Sequence, residues 1–186
     1  MEIFSVEGFP DIKLALALFK SVKNAAHLKA THLNRVALID AGLVLSVFQL
    51  RAAAAMAVEK QKAGKMKTRS LPSEVVWSLS GSKNMTGSLQ SFCVQEVNDA
   101  DLLVAAIGVA EEELRLILGD VQGEPRPLTE LGWELEGVGQ QQQQQQRGAD
   151  GTKRDRWKKM YKITDDELAI SSLEDCVVMR MAVKDH

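Results

Sequence analysis

Lys60, Lys62, Lys65, Lys67 and Arg69 fall within ten residues that contain no acid. Cations at this density, beside a helix end whose loop backbone N–H groups are free to assist, suit phosphate oxygens. A second group, Lys153, Arg154, Arg156, Lys158, Lys159 and Lys162, is interrupted only by Asp155. Between Glu96 and Glu136, by contrast, eleven acids face only Arg115 and Arg126, a local charge of −9. The formal total of −2, from 23 basic and 25 acidic residues, therefore describes neither kind of region. It gives no argument against a polyanionic partner. The competing explanation for each basic group is an ordinary solvated face. Trp77 and Met66 are near enough in sequence to stack on a base, and suit a core or rim position equally well.

Other chemistries find no matching residues. There is no glycine-rich dinucleotide turn, and Gly64-Lys65 lacks both the upstream glycine and the following Ser/Thr of a phosphate-binding loop. Neither a nucleophile-elbow serine nor a kinase signature set is found. His27 and His32 are five apart rather than the i, i+4 pair of a helical zinc site, and His186 stands alone at the end. Cys93 and Cys176 fit no disulfide scaffold and no zinc spacing, and read as half-buried thiols in a reducing compartment. No catalytic residue, metal or cofactor is expected, and the chain reads as a non-enzyme. Glu2, Glu7 and Asp11 are acidic where targeting peptides are basic. The apolar segment Ile12 to Phe19 is far short of the ~18 residues that span a bilayer. A soluble, intracellular chain without a membrane partner is the expectation.

The elements that position these residues follow from periodicity and caps. Ile12–Phe19 predicts a buried strand and Ser21–Lys29 a short helix. Val36–Asp40 predicts a second strand. Ser46 caps an alanine-rich helix running to about Lys62 and stopped by Gly64; its small side chains let it lie close against a sheet or another helix. A further helix starts at Ser70–Pro72, a loop follows at 81–84, and a short helix covers Thr86–Phe92. Asp101–Ile107 is the clearest strand, and Glu111–Glu113 opens a helix to Leu118 with acids in its first turn. A helix is predicted around Leu128–Leu135. Seven glutamines at 140–146, flanked by glycines, read as a disordered Gly/Gln-rich insertion at about 137–152. Arg154–Tyr161 is a basic helical stretch, and Thr164–Glu167 has capping-box spacing. Leu173, Val177 and Met181 then mark one face of a final helix. The sum is a single α+β domain over residues 1–186.

The segment Gly64-Lys65-Met66-Lys67-Thr68-Arg69-Ser70-Leu71-Pro72-Ser73-Glu74 and the apolar helix after it follow the pattern K-x-x-x-R-[ST]-L-x-x-E. With Met85–Leu89, Leu16–Asn24, Phe48-Gln49, and Leu168–Cys176 plus Arg180, Lys184 and Asp185, this resembles the kinase-binding small subunit of the KEOPS (EKC) complex, the TPRKB family. The resemblance covers most of the chain outside about 137–152.

It implies helices packed around a small, mainly antiparallel sheet. It also implies a non-catalytic subunit that binds the complex's atypical small kinase/ATPase, in the cytoplasm and nucleus. That complex makes N6-threonylcarbamoyladenosine (t6A) in tRNA, and the family's archaeal members capture the tRNA 3′ CCA end. Carried over by position, Lys65, Lys67 and Arg69 are the candidates for tRNA phosphates, and Leu71, Val75, Val76, Ile170 and Leu173 for kinase docking. The core competes for each of those five apolar residues. Met56 stands where the family usually has a basic residue. The alternative to RNA recruitment is a protein–protein adaptor or allosteric activator of the kinase that binds no RNA.

Overall fold

Alternation along one long strand decides the architecture. In the computed structural model, which describes residues 1–97, 99–131 and 150–184, strand β2 spans Phe9–Val22. It sends Leu14, Leu16 and Leu18 to one face and Ala15, Ala17 and Phe19 to the other, and all six are buried. A strand buried on both faces needs a helical layer on each side. Strand β1 (Glu2–Val6) pairs with the first half of β2, and β4 (Ala100–Ile107) runs along its other edge with Leu16 opposite Ala105. β3 (Ala37–Asp40) closes beyond β4, giving the antiparallel order β1-β2-β4-β3, and the short β5 (Glu124–Arg126) pairs with the end of β2.

One face of the sheet is covered by α1 (Ala25–His32) and α5 (Glu111–Gly119) through Leu28, Leu114 and Ile117. The other carries α2 (Val47–Lys62) and α3 (Leu71–Leu79). The alanines of α2 act as expected: Ala53, Ala54 and Ala57 are fully buried, so α2 and α3 pack closely. Around them lie α4 (Met85–Phe92), α6 (Asp150–Tyr161), α7 (Asp165–Ile170) and α8 (Leu173–Val183). Ser46, Ser70, Asn84, Thr164 and Ser172 each accept a backbone N–H at a helix start, and Thr164 and Glu167 complete the capping box. The α+β arrangement around an antiparallel sheet is as expected.

Three local expectations change. The helix predicted over Ser21–Lys29 begins only at Ala25, because β2 continues to Val22, which pairs with Ala100. Ser21 takes a positive φ of 53° where the register shifts. The helix predicted over Leu128–Leu135 is a single 3-10 turn, Leu128–Glu130, as far as Leu131; its remainder lies outside the described residues. The insertion expected at about 137–152 also lies outside them up to residue 149, and Asp150 already belongs to α6. Among the described residues, no helix is long and apolar enough to cross a membrane.

Candidate functional site

The loop between α2 and α3 is built from its ends inward. Gly64, at φ +65°, ends α2 in the left-handed conformation, and the Lys65 N–H returns to the Lys60 carbonyl at 2.8 Å. Three residues on, the chain is held by Glu74, which is fully buried in the first turn of α3. One oxygen of its carboxylate accepts the Lys67 N–H at 3.1 Å, the Thr68 N–H at 2.9 Å and the Thr68 hydroxyl at 2.7 Å. The other lies 3.6 Å from the Lys60 ammonium. A buried carboxylate oxygen that accepts three donors from the loop fixes the loop's path, since each of those bonds would break if the loop moved. The N–H groups of Lys65, Lys67 and Thr68 are thus committed inside the protein. The expectation that the loop backbone N–H groups are free to assist an oxyanion is corrected at these three positions.

The cations of the cluster divide into two kinds. Trp77 is buried at 2% exposure, so it is a core residue rather than an open stacking platform. Its ring is surrounded by three ammonium groups: Lys184 at 4.1 Å from the centroid, Lys60 at 4.5 Å and Lys67 at 5.1 Å. Such contacts contribute about 2 kcal/mol when desolvated. Lys184 is buried and donates to the Trp77 carbonyl and, at 2.8 Å, to the Ser80 carbonyl, capping the end of α3 with the end of the chain. Lys65 and Arg69, in contrast, are exposed, and their side chains enter no hydrogen bond or ion pair among the described residues. Of the three basic candidates, Lys67 is exposed but reaches back over the indole, whereas Lys65 and Arg69 point their charges into solvent. Met66 is half-buried, and Met56 is half-buried against the core.

The apolar candidates divide as well. Val75 and Val76 are each 1% exposed and Leu173 is 9% exposed, so all three fill the core and offer no surface in this structure. Leu71 is half-buried. Ile170, at the end of α7, is 89% exposed. Sequence reasoning missed Met179 and Val183, one turn apart on the outer face of α8 and exposed at 61% and 47%. The signal was there, because they are large apolar residues of α8 that fall off the face marked by Leu173, Val177 and Met181. Arg180 fixes this corner by donating to the Tyr161 carbonyl at 3.2 Å and to Glu167 at 2.7 Å. Cys93 and Cys176 are free thiols, half-buried and buried, and burial pushes the Cys93 pKa up. Among the described residues, no three His, Cys, Asp or Glu side chains gather into a metal site.

Residues 19–185 match the model of the family described as "Kinase binding protein CGI-121". The chain is similar to the EKC/KEOPS complex subunit TPRKB of Danio rerio, with 34% identity over 183 residues, 97% of this chain and 95% of the relative. It is also similar to the EKC/KEOPS complex subunit CGI121 of Yarrowia lipolytica, with 36% identity over 106 residues, 54% of this chain and 62% of that one. The cgi121 subunit of Aspergillus fumigatus is 28% identical over 125 residues, covering 62% and 66% of the two chains.

Proposed function

The chain belongs to the CGI-121 family of kinase-binding proteins, and from that premise we propose that it is a non-catalytic subunit of a KEOPS-type complex. In this reading it binds the complex's small kinase/ATPase and helps recruit tRNA for N6-threonylcarbamoyladenosine modification, in the cytoplasm and nucleus. The relatives are named as subunits of that complex. The observation that carries the RNA role is the pair Lys65 and Arg69, exposed and unpaired on a loop whose backbone Glu74 holds rigid. A preorganised pair of cations loses little conformational freedom on meeting a phosphate. Ile170 on α7 and Met179 and Val183 on α8 are the exposed apolar side chains to which the kinase contact is assigned.

The cleanest test changes Lys65 and Arg69 and leaves Lys67 alone, because Lys67 also touches Trp77. Lys65→Glu with Arg69→Glu should weaken tRNA binding and flatten its salt dependence by about 0.7 for every single-strand phosphate left unneutralised. The complex with the kinase should stay intact. Unchanged tRNA affinity would leave the adaptor reading, in which the chain activates the kinase without touching RNA. That second reading is favoured by the Trp77 cluster, which shows that part of the basic run serves the fold. Full binding of a tRNA lacking its CCA end would likewise tell against capture of that end.

A further inference from the structure

The second basic group plays no part in the function proposed so far, and its cations are not equivalent. Helix α6 is anchored by Trp157, 5% exposed, and Tyr161, 2% exposed, one turn apart. The Tyr161 hydroxyl accepts from Gln49 at 2.8 Å and donates to the Leu79 carbonyl at 2.6 Å, tying α6 to the start of α2 and the end of α3. With that face inward, Arg154 and Lys158 fall on one flank, where Lys158 pairs with Asp165 at 2.5 Å and Arg154 adds to the field on the same carboxylate. Arg156 and Lys159 fall elsewhere on the helix and are exposed; their side chains, like that of Arg154, form no hydrogen bond or salt bridge among the described residues, and the charge of Arg156 acts on Asp40. They overhang a cleft of about 510 Å³ together with Met160, Leu43, Asp40, Ser91 and Gln95.

We propose that Arg156 and Lys159, at the rim of this cleft, form a second phosphate-contact site for single-stranded RNA. The inference rests on the RNA role proposed for the chain and extends it. Among the residues that line the cleft, two cations stand against one carboxylate, Asp40, with Asp101 near enough to act on that carboxylate from behind. Asp40 is also partly committed, its side chain accepting the Gly42 N–H at 2.9 Å. The Gln95 amide is held in place by the Gln90 and Cys93 carbonyls at 2.9 and 3.0 Å. Half-buried Met160 gives the cleft an apolar side chain on which a base can rest, while Ser91 and Gln95 offer polar groups to its edge. This mixture fits a nucleotide better than an acidic peptide.

The location fits an extended strand too. Gln49 marks the α6 end of α2, and Lys60, eleven residues on, marks the end beside Glu74 and the basic loop. Those two positions are about 16 Å apart along α2, so the two basic groups sit toward opposite ends of that helix.

The experiment measures binding of the full chain to tRNA by anisotropy across a salt series, for the unaltered chain and three variants. Arg156→Glu with Lys159→Glu should weaken binding about tenfold and make the log–log salt slope shallower by about 1.4, two single-strand phosphates at 0.7 each. Arg154→Glu, on the flank of the same helix that faces Asp165 and does not line the cleft, should stay within twofold. Lys65→Glu with Arg69→Glu reports on the first site. Unchanged affinity and slope in the Arg156/Lys159 variant, with weaker binding in the Lys65/Arg69 variant, overturns the second site and leaves the RNA role standing. An unaltered chain that binds no tRNA overturns both. Equal weakening at Arg154 and at Arg156/Lys159 points to a diffuse field and overturns the site, as does disruption of the kinase complex with RNA binding intact. Arg156→Ala with Lys159→Ala should show the same slope change, so the outcome does not depend on tolerance of reversed charge.

Discussion

The loop between α2 and α3 holds its cations on backbone tied to a buried carboxylate, whereas α6 holds its cations on a helix tied down by two aromatic side chains. In the loop, the anchor Glu74 is itself charged and draws Lys60 inward, and Trp77 collects Lys60, Lys67 and Lys184 around its ring. In α6 the anchors are Trp157 and Tyr161, and neutralisation comes from outside, from Asp165 of α7. The loop therefore couples its stability to its charge, and α6 keeps the two nearly separate. In both, some exposed cations have side chains outside any hydrogen bond or salt bridge among the described residues: Lys65 and Arg69 in one, and Arg154, Arg156 and Lys159 in the other. Cation density alone does not distinguish those that hold the protein together from those open to a partner.

The largest effects should come from removing the anchors. Glu74→Ala leaves the Lys67 and Thr68 N–H groups without their acceptor and Lys60 without its partner carboxylate. Breaking a buried pair on one side costs about 3–5 kcal/mol, to be read from urea denaturation. Trp157→Ala removes a buried indole and should cost a similar amount, about 3–5 kcal/mol. What separates them is the consequence for binding. Under conditions where both are still folded, Glu74→Ala should weaken tRNA binding through the loop, with Lys65 and Arg69 unchanged. Trp157→Ala should leave the Lys65/Arg69 contribution in place. If both variants lose RNA binding to the same degree, the two regions are not independent.

Tyr161→Phe is a smaller cut at the same boundary. It removes a hydroxyl that satisfies both Gln49 and the Leu79 carbonyl, leaving two buried groups unpaired. The expected cost is about 1–3 kcal/mol in the same denaturation assay. Burial pushes the Tyr161 pKa far up from its ordinary value. The phenol therefore stays protonated through the working range, and the cost should not vary between pH 6 and 9.

These anchors mark where the sequence stops being readable. Helices α2, α3, α4 and α5 and strands β3 and β4 follow from local signals, such as Ser46 and Ser70 at the caps, Gly64 at a stop, and the apolar run before Ile107. Strand β1 was missed because Glu2, Ile3 and Ser5 on this edge strand remain exposed, so little hydrophobic alternation marks it. The extension of β2 through Val22 depends on Ala100, nearly eighty residues away, which no local propensity reports. At the site, the motif correctly directs attention to residues 65–74. The distinction between Lys67 and its neighbours, however, depends on Trp77 and on Lys184 from the end of the chain. Glu74 reads as an ordinary helix-start acid, and only its burial reveals the anchor.

A pH series should sharpen the contrast at low pH. A hydrogen bond and the charge of Lys158 hold the Asp165 carboxyl below its ordinary range, and the Thr164 N–H, with Arg180 adding to it, does the same for Glu167. A carboxyl with a depressed folded pKa stabilises the protein above its unfolded value, about 4, and that contribution is lost as pH falls through the folded value. Acid should therefore loosen the α6–α7 corner. Asp165→Asn should remove part of the slope in an acid denaturation series, and an unchanged slope would exclude the Lys158 pair as its source.

The smallest effect is the most discriminating, because Asp40 has the opposite sign. Burial pushes its carboxyl above the ordinary range, and Asp101 adds to this, while the Gly42 N–H and Arg156 pull it down without cancelling the rise. A raised carboxyl means the fold disfavours the ionised form, so stability is lost as pH rises past the unfolded value and through the folded one. Asp40→Asn should thus stabilise the chain slightly at pH 7, and the gain should vanish below about pH 4, where the native carboxyl is neutral in both states. The same change removes the carboxylate of the α6 cleft. If Arg156 and Lys159 hold a phosphate there, tRNA affinity should rise by about twofold to fivefold, the scale of one exposed charge pair. The Lys65/Arg69 site lies at the other end of α2, so the gain should persist in the Lys65→Glu, Arg69→Glu background. A gain that disappears in that background would mean that one site, rather than two, governs the RNA.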